Sequence, residues 1–291
     1  MDNSLKCDCV VLNYNDSATV MKLLKNISEY NVISHILVVD NCSTDGSYVE
    51  LQKIANDKVK VVKTDKNGGY GYGNNYGVQY VKNKWNGKYV LIVNPDVYFS
   101  ESTIQRLLQI ISNNVNTAAI SPCQLDINGN IIKDIAWKCP SYFDYTFCEL
   151  RLFRNKTDTN YPPKYFENSE YVDVDCIPGS FLLVDSDLFL GVGGYDPDIF
   201  LYGEETTLGL KFKEKNYRTI LDLETNYIHE HSVSINKSIK SERKKYKLLC
   251  SSRMIIIKKY LAKNYFQYVL ALIVSYYKIL KQDIRSIRAS L

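Results

Sequence analysis

Residues 90–97 read VLIVNPDV, which predicts a buried strand followed by a binding loop. The first four residues are apolar and three are β-branched, a pattern typical of a strand at the centre of a sheet. Pro95 has no backbone N–H for a sheet ladder, so the strand should end beside it. Asp96 would then lie just past the carboxyl edge of the sheet, where open α/β folds bind ligands. The alternative is that residues 94–96 form only a turn.

Alternating strands and helices surround this stretch. Strands are predicted at 6–13, 36–39, 59–63 and 117–121. Helices are predicted at about 17–30, 48–55 and 100–112, and a further helix follows the glycine-rich stretch and ends at about residue 83. Such alternation, with short polar loops after the strands, is typical of a parallel sheet covered by helices. Right-handed crossovers bring those loops to one edge, so Asn13, Asp40 and Asp96 should converge there.

A glycine-rich run, NGGYGYGNNYG, occupies residues 67–77 after the third strand. A dinucleotide fingerprint belongs after the first strand and has a different glycine spacing, so we reject that interpretation. Glycines let backbone amides approach a ligand closely, which makes Gly71 and Gly73 candidate phosphate contacts at a helix start. Asn74 and Asn75 add side-chain donors and acceptors there. The alternative is a mobile surface loop.

The second half of the chain is less regular. A hairpin around an Asn-Gly turn is predicted at residues 124–134. No element is assigned to residues 135–170. Two strands that meet at a Pro-Gly pair are predicted at residues 172–184. Glu204 and Glu205 open a predicted helix, where the helix dipole alone would favour carboxylates.

Four of these motifs occur in an order and spacing that resembles the family-2 inverting glycosyltransferases, in particular the bacterial rhamnosyltransferase-like branch that builds surface polysaccharides. They are NYN at 13–15, DNCSTDGS at 40–47, the glycine-rich run, and NPD at 94–96. The resemblance implies an α/β, GT-A-like nucleotide-binding domain with a mostly parallel central sheet, followed by C-terminal helices.

The resemblance also implies roles for individual residues. Asp40 matches the residue that reads the donor's base, and Asp96 matches the metal-binding end of the family's Asp-x-Asp motif, whose first position is Asn94 here. The donor-binding residues that it implies are Asn13, Asn15, Asp40, Gly71, Gly73, Asn74, Asn75 and Asn94.

Two later segments extend the resemblance. Residues 200–212 are similar to the family's second signature and place Glu205 at the position of the catalytic base, with Glu204 as a rival. Residues 227–234 are similar to the closing histidine-to-serine motif, whose histidine supports the metal or the diphosphate. The spacing to the serine favours His229 over His231.

The implied reaction is inverting transfer of a sugar from dTDP-rhamnose or a UDP-sugar to a hydroxyl of a lipid-linked surface glycan such as O-antigen or capsule. The implied cofactor is a divalent cation, Mg²⁺ or Mn²⁺. Two other functions stay open. A sugar nucleotidyltransferase would require a basic glycine-rich loop after the first strand, which residues 13–16 do not provide, and a glycan-binding protein of the same fold would be non-catalytic.

Charge divides the chain into a predicted catalytic domain, residues 1–236, and a basic helical tail, residues 237–291. The tail carries 14 Lys and Arg against 2 Asp and Glu, whereas the remainder carries 22 against 30. Residues 265–280 are mostly apolar but fall short of the ~20 residues that a spanning helix needs. The tail either lies on an anionic membrane surface or packs on the catalytic domain with a solvated basic face.

The remaining features favour a protein at the inner face of the bacterial plasma membrane. The first six residues do not form an export signal, so the eight cysteines are expected to be free thiols in a reducing cytoplasm. Nucleic acid is not an expected partner, because the basic segment contains no recognisable binding motif.

Overall fold

The strand predicted at residues 90–93 is β4 (Tyr89–Val93), and every residue of it is buried. It lies in the middle of a nine-stranded sheet. The computed structural model describes residues 5–132, 135–150, 158–230 and 241–290, with side chains through residue 284. Within these ranges the other strands are β1 (Cys7–Asn13), β2 (Ile33–Asp40), β3 (Val59–Lys63), β5 (Val97–Tyr98), β6 (Thr117–Leu125), β7 (Tyr171–Val174), β8 (Phe181–Asp185) and β9 (Arg218–His229).

Helices cover both faces of this sheet. They are α1 (Ser17–Ile27), α2 (Ser47–Gln52), α3 (Tyr70–Trp85), α4 (Glu101–Asn113), α5 (Tyr142–Phe147), α6 (Ser186–Gly191), α7 (Glu204–Glu214), α8 (Glu242–Ile256) and α9 (Tyr265–Ser290), with a 3₁₀ turn at Pro163–Phe166 and a π-helix at Ile257–Leu261. Helices α1, α2 and α4 pack on one face, and α3, α6 and α7 pack on the other.

The strand order is β3-β2-β1-β4-β8-β6-β9-β5, with β7 pairing to β9. The first four strands in this order are parallel, whereas β8 runs antiparallel to both β4 and β6. Asn13 pairs with Asp40 and Val11 pairs with Val93, so β1, β2 and β4 end at nearly the same level. The predicted convergence of the post-strand loops at one edge is therefore confirmed for these strands.

The predicted meeting of two strands at residues 178–179 is wrong in its pairing. Both strands exist, but β7 pairs with β9 while β8 pairs with β4 and β6. The Pro-Gly segment is therefore a crossover between different parts of the sheet. At residues 126–130 the chain does reverse around Asn128-Gly129, with one antiparallel bridge between Leu125 and Ile131.

All eight cysteines are free, and Cys7 and Cys9 are both buried on β1. The two thiols nearest each other in the described part of the chain are those of Cys139 and Cys176, with their sulfurs 3.9 Å apart.

The C-terminal helices pack on the rest of the chain at their beginning and expose an apolar surface farther along. Helix α8 buries Cys250 and Ile256, while α9 contacts α5. The predicted boundary at 236/237 falls in residues 231–240, which lie outside the described ranges. Among the described residues, no helix combines the length and apolarity that crossing a bilayer requires.

Candidate active site

Asn13 and Asp40 form a closed hydrogen-bonded pair where β1 and β2 end. Nδ2 of Asn13 donates to one carboxylate oxygen of Asp40 at 2.8 Å, and the backbone N–H of Ser43 donates to the other at 2.9 Å. Neither Asn13 nor Asp40 has exposed surface. Donor binding by Asn13 and Asp40 stays a prediction. In the described conformation they shape the loop.

Asn15 is partly exposed at the surface of the neighbouring loop, which follows β1. It adopts a left-handed backbone conformation (φ 54°), and its side-chain oxygen accepts from the backbone N–H of Thr44 at 2.8 Å. Its own N–H donates to the Ser43 hydroxyl at 2.9 Å. The loops after β1 and β2 are thus joined side by side, with Asn15 half-buried at their surface. Ser43 was not singled out from the sequence, although it lies within the quoted motif.

The glycine-rich run is helical from Tyr70 onward, so the alternative of a mobile surface loop is wrong. An ideal Cβ on Gly71 would lie 2.7 Å from Cβ of Tyr195, and one on Gly73 would lie 2.3 Å from Cδ1 of Leu12. These glycines let α3 approach the sheet closely. Their described contacts are packing contacts, and donor binding by Gly71 and Gly73 stays a prediction.

Asn74 and Asn75 also face inward. Asn75 binds the backbone of Tyr195 at both ends, since its Nδ2 donates to the carbonyl at 2.9 Å and its oxygen accepts the N–H at 2.9 Å. Asn74 has no exposed surface and donates to the carbonyl of Tyr70 at 3.1 Å. Asn75 therefore anchors the segment that leads to Glu204, and donor binding by Asn74 and Asn75 stays a prediction.

The start of α3 is tied to the loops around it. Nδ2 of Asn41 donates to the carbonyl of Gly69 at 3.0 Å, and the N–H of Tyr70 donates to the carbonyl of Phe200 at 3.2 Å. The Tyr70 hydroxyl donates to the carbonyl of Gly179 at 2.6 Å. The start of the glycine-rich helix thus contacts the loop after β2 and two segments that precede the acidic pair in sequence, at Gly179 and at Phe200.

Asp96 and His229 lie together at the end of β9. Strand β5 pairs Val97 with His229, and Nε2 of the imidazole is 3.2 Å from a carboxylate oxygen of Asp96. Both side chains keep a little exposed surface, 6% for Asp96 and 11% for His229. Asn94 is half-buried nearby, and its N–H donates to the carbonyl of Ser180 at 2.9 Å. His231 lies outside the described residues.

The donor set at Asp96 and His229 fits a divalent cation that takes most of its ligands from elsewhere. No group of three or more His, Cys, Asp or Glu suited to a metal occurs among the described residues. A single carboxylate, held by the imidazole, matches a cation such as Mg²⁺ or Mn²⁺ whose other ligands are substrate phosphates and water.

Glu204 and Glu205 begin α7 after a strained turn. Tyr202 (φ 72°) and Gly203 (φ 97°) both occupy the left-handed region, which is costly for a bulky residue and marks positions that the surrounding structure fixes. An ideal Cβ on Gly203 would lie 2.6 Å from Cδ1 of Ile256, so α8 packs directly on this turn.

The two carboxyl groups differ in their surroundings. Glu204 is buried, and one of its oxygens has no hydrogen-bond partner among the described residues. Burial and then the charge of Glu205 raise the pKa of Glu204 to about 8. Burial also raises the pKa of Glu205, while the backbone N–H of Gly179 acts in the opposite direction. Burial thus favours the protonated form of both carboxyl groups, and near neutral pH Glu204 holds a proton.

The C-terminal segment holds the loop that precedes this pair. The amine of Lys259 is 2.9 and 3.0 Å from the two oxygens of buried Asp196, and the Tyr260 hydroxyl donates to the same carboxylate at 2.6 Å. The Ser252 hydroxyl donates to the carbonyl of Leu201 at 2.7 Å. The start of the tail therefore packs on the catalytic domain, as one of its two interpretations proposed.

Residues 8–161, which include the first two strand loops, α3 and Asp96, match the family described as Glycosyl transferase family 2. The chain belongs to glycosyl transferase family 2. Its acidic pair and His229 lie beyond the matched residues, and their roles stay predictions.

Relatives of this family-2 enzyme include glycosyltransferases of known assignment. The chain is 28% identical over 69% of its length to the N-acetylglucosaminyl-diphospho-decaprenol L-rhamnosyltransferase of Mycobacterium tuberculosis, covering 68% of that protein. It is 25% identical over 71% of its length to the low-salt glycan biosynthesis hexosyltransferase Agl10 of Haloferax volcanii, covering 61% of it. It is 30% identical over 49% of its length to rhamnosyltransferase WbbL of Escherichia coli, covering 53%.

Solved structures confirm the GT-A-like fold. GalNAc-T7, solved with UDP, GalNAc and Mn²⁺, superposes with a TM-score of 0.63 at 16% identity, over 86% of this chain and 51% of that one. The Pyrobaculum calidifontis mannosyltransferase PcManGT, in complex with GDP-Man and Mn²⁺, superposes with a TM-score of 0.58 at 14% identity, over 97% and 78%. The family and fold show a glycosyltransferase, so the nucleotidyltransferase and the non-catalytic alternatives are set aside.

Proposed function

We propose that this enzyme transfers a sugar, with inversion, from a nucleotide donor to a hydroxyl of a lipid-linked surface glycan. The observation that carries the proposal is the position of Gly179 and Ser180. The Gly179 carbonyl accepts a hydrogen bond from Tyr70 of the glycine-rich run. The Ser180 carbonyl accepts one from Asn94, which lies two residues before the predicted metal ligand Asp96. An ideal Cβ on Gly179 would lie 3.0 Å from Oε1 of Glu205. Three motifs far apart in sequence therefore meet at one two-residue segment.

In this mechanism Glu205 is the general base. Inverting transfer needs one ionised carboxylate near the acceptor hydroxyl, and a raised pKa strengthens such a base while leaving it ionised at working pH. Glu204 holds a proton and keeps a second negative charge out of the site. Glu204 remains the rival base, because one of its buried oxygens has no hydrogen-bond partner among the described residues.

The opposite end of the site would hold the leaving diphosphate. Asp96, with His229 against it, would bind a divalent cation, Mg²⁺ or Mn²⁺. When bound, such a cation neutralises charge that develops on the diphosphate. Asn15 and Asn94, which keep exposed surface at the same edge, are the side chains best placed to contact the donor.

The relatives support the choice of substrates. Two of them carry rhamnosyltransferase names, and one of these names gives a prenyl-diphosphate-linked acceptor. We therefore propose dTDP-rhamnose, or else a UDP-sugar, as the donor and a prenyl-diphosphate-linked saccharide as the acceptor, in O-antigen or capsule assembly.

The test is a transfer assay with a thermal-shift screen before it. Nucleoside diphosphates and nucleotide sugars with Mg²⁺ or Mn²⁺ are screened for an increase in melting temperature, because a ligand that binds only the folded state stabilises it. Donors that stabilise are then assayed with N-acetylglucosaminyl-diphospho-prenol. We expect a metal-dependent product. Stabilisation by no nucleotide, or donor turnover that is insensitive to chelator, would contradict the proposal.

We propose further that α9 attaches the enzyme to the inner, anionic face of the plasma membrane. Its exposed large side chains recur four or seven positions apart and so share one side of the helix. They are Tyr265, Phe266, Leu272, Ile273, Tyr276, Tyr277, Leu280 and Ile284. The opposite side is buried at Ala271 and Lys278, whose amine donates to the carbonyl of Thr146 at 3.0 Å.

Basic residues flank this apolar side. Lys258 and Lys263 are exposed immediately before α9. Exposed apolar and aromatic residues beside positive charge suit the boundary of an anionic lipid layer, where each basic residue contributes ~1 kcal/mol of attraction. A membrane surface thus provides both the apolar cover and the counter-charge that this side of α9 lacks.

A further inference from the structure

A buried chain of hydrogen bonds runs from Ser180 to Asp96 through side chains that the sequence did not single out. The hydroxyls of Ser180 and Tyr227 are 2.6 Å apart, and the Tyr227 hydroxyl donates to Oε1 of Gln124 at 2.9 Å. Nε2 of Gln124 is 3.3 Å from Nδ1 of His229, whose Nε2 faces Asp96 at 3.2 Å. The chain connects the segment beside Glu205 with the predicted metal end.

Its members are held by the sheet itself. Gln124 and Tyr227 are register partners on the parallel strands β6 and β9, and His229 follows two residues later on the same face of β9. Exposure is 7% for Ser180, 2% for Gln124 and 1% for Tyr227. Buried polar groups are costly unless they are hydrogen-bonded, so a linked set in the core fixes one arrangement of its members.

The direction of the chain determines which nitrogen of His229 carries the proton. An amide side chain has one accepting oxygen and one donating nitrogen. Because the oxygen of Gln124 takes the Tyr227 proton, the nitrogen faces His229 and can only donate. Nδ1 of His229 must therefore accept, which leaves the proton of the neutral ring on Nε2, directed at Asp96.

We propose that Gln124 is a positioning residue that holds His229 as its Nε2–H tautomer against Asp96, and that Tyr227 and Ser180 keep Gln124 in place. His229 then serves as the hydrogen-bond donor that orients Asp96, leaving the second oxygen of that carboxylate for a cation. The assignment of the tautomer stands on the described contacts alone. Only its purpose, orienting the metal end, rests on the proposed function.

The tautomer is measured directly by NMR of protein with ¹⁵N-labelled histidine. The chain has only three histidines, so single substitutions of His35 and His231 by Gln assign the spectrum. The spectra are recorded at about pH 8.5. We expect the proton of His229 on Nε2. A wild-type ring protonated on Nδ1 would overturn the proposal.

Two substitutions test whether Gln124 determines which nitrogen of His229 carries the proton. Gln124→Glu keeps the shape but places a carboxylate opposite Nδ1, so Nδ1 of His229 should also carry a proton, because each ring nitrogen then faces an acceptor. Tyr227→Phe removes the hydroxyl that donates to Gln124, so the amide of Gln124 can rotate and His229 should show a mixture of tautomers. This variant provides the test if Gln124→Glu does not fold. Circular dichroism confirms the fold of each. An unchanged tautomer in the folded variants would contradict positioning by Gln124.

The effect of Gln124 on metal binding is measured separately from the tautomer, through the Mg²⁺ requirement of the transfer reaction. Loss of a residue that orients a metal ligand weakens metal binding about 10- to 100-fold. We expect Gln124→Glu to raise by at least about tenfold the Mg²⁺ concentration that gives half-maximal transfer. A proton on Nδ1 in Gln124→Glu together with an unchanged Mg²⁺ requirement would refute the link between Gln124 and cation binding at Asp96. If no transfer activity is found in the wild type, the proposed function fails while the tautomer result stands.

Discussion

Asp40 and Glu204 are both buried carboxyl groups at the same edge of the sheet, yet their surroundings are opposite. Each oxygen of Asp40 accepts a hydrogen bond, from Asn13 and from Ser43. Glu204 has an oxygen without a partner in the described structure and a pKa raised to about 8. A buried carboxylate with all its partners stabilises a loop, whereas one without them is held in a costly state that catalysis can use.

The largest effect should appear when the two members of the acidic pair are compared. Glu205→Gln removes the proposed base and should lower kcat by about 10²- to 10⁴-fold, as loss of general-base catalysis does. Glu204→Gln imitates the protonated state already present near neutral pH, so its kcat should stay within a few-fold of wild type. Both are measured in the transfer assay at saturating donor. The reverse ranking would make Glu204 the base.

The same pair predicts a dependence of stability on pH. The folded-state pKa of Glu204 is about 8, against about 4.3 for an unfolded glutamate, so the folded protein binds the extra proton between these values. The free energy of unfolding of wild type should therefore fall as pH rises from about 5 to about 8.

Glu204→Gln removes this dependence. At pH 8 the variant should be more stable than wild type by on the order of 2–4 kcal/mol, and the difference should shrink toward pH 5. Urea denaturation at several pH values measures it. A constant difference across this range would show that Glu204 is not protonated in the folded enzyme.

Asp40→Asn should destabilise the protein, whereas Glu204→Gln should stabilise it. An amide offers one acceptor and one donor where two donors, from Asn13 and Ser43, point at Asp40. One buried donor then loses its acceptor, at a cost of about 1–3 kcal/mol. The free energy of unfolding should fall by that amount, while the matched change at exposed Asp57 should leave it unaltered. If Asp40→Asn is as stable as wild type and instead loses nucleotide binding, Asp40 contacts the donor after all.

The smallest effect concerns the apolar side of α9. Burial of a large apolar side chain contributes about 1.5–3 kcal/mol, so Ile273→Asp combined with Tyr276→Asp should weaken binding to anionic vesicles at least about tenfold. Co-sedimentation with phosphatidylglycerol vesicles measures it. Val115→Asp is the control, because Val115 is 80% exposed on a different part of the chain. Equal binding by all three proteins would refute membrane attachment through α9.

The sequence predicted what depends on local pattern. Apolar β-branched runs located β2 and β4, because a buried parallel strand has no polar face to interrupt the pattern. Ser100 located the start of α4, where its hydroxyl accepts from the N–H of Thr103 at 3.2 Å. These features need only neighbouring residues to be recognised.

What the sequence could not predict depends on contacts between distant residues. Gly71 and Gly73 looked like loop residues, but close packing against Tyr195 and Leu12 makes them helix residues. Asp40 carried a family role in sequence, whereas its burial follows from partners on β1 and in its own loop. Gln124 gave no local signal at all, because its importance arises only when β6 lies beside β9.

The most direct test of the account is the position of a bound cation and nucleotide. Crystals grown with Mn²⁺ and either dTDP or UDP would show the metal by its anomalous scattering. The account predicts a peak at coordinating distance from Asp96, with the nucleotide between the Asn15 loop and Glu205. A peak away from Asp96, or a nucleotide bound in the groove of about 530 Å³ along the outer side of α3, would contradict it.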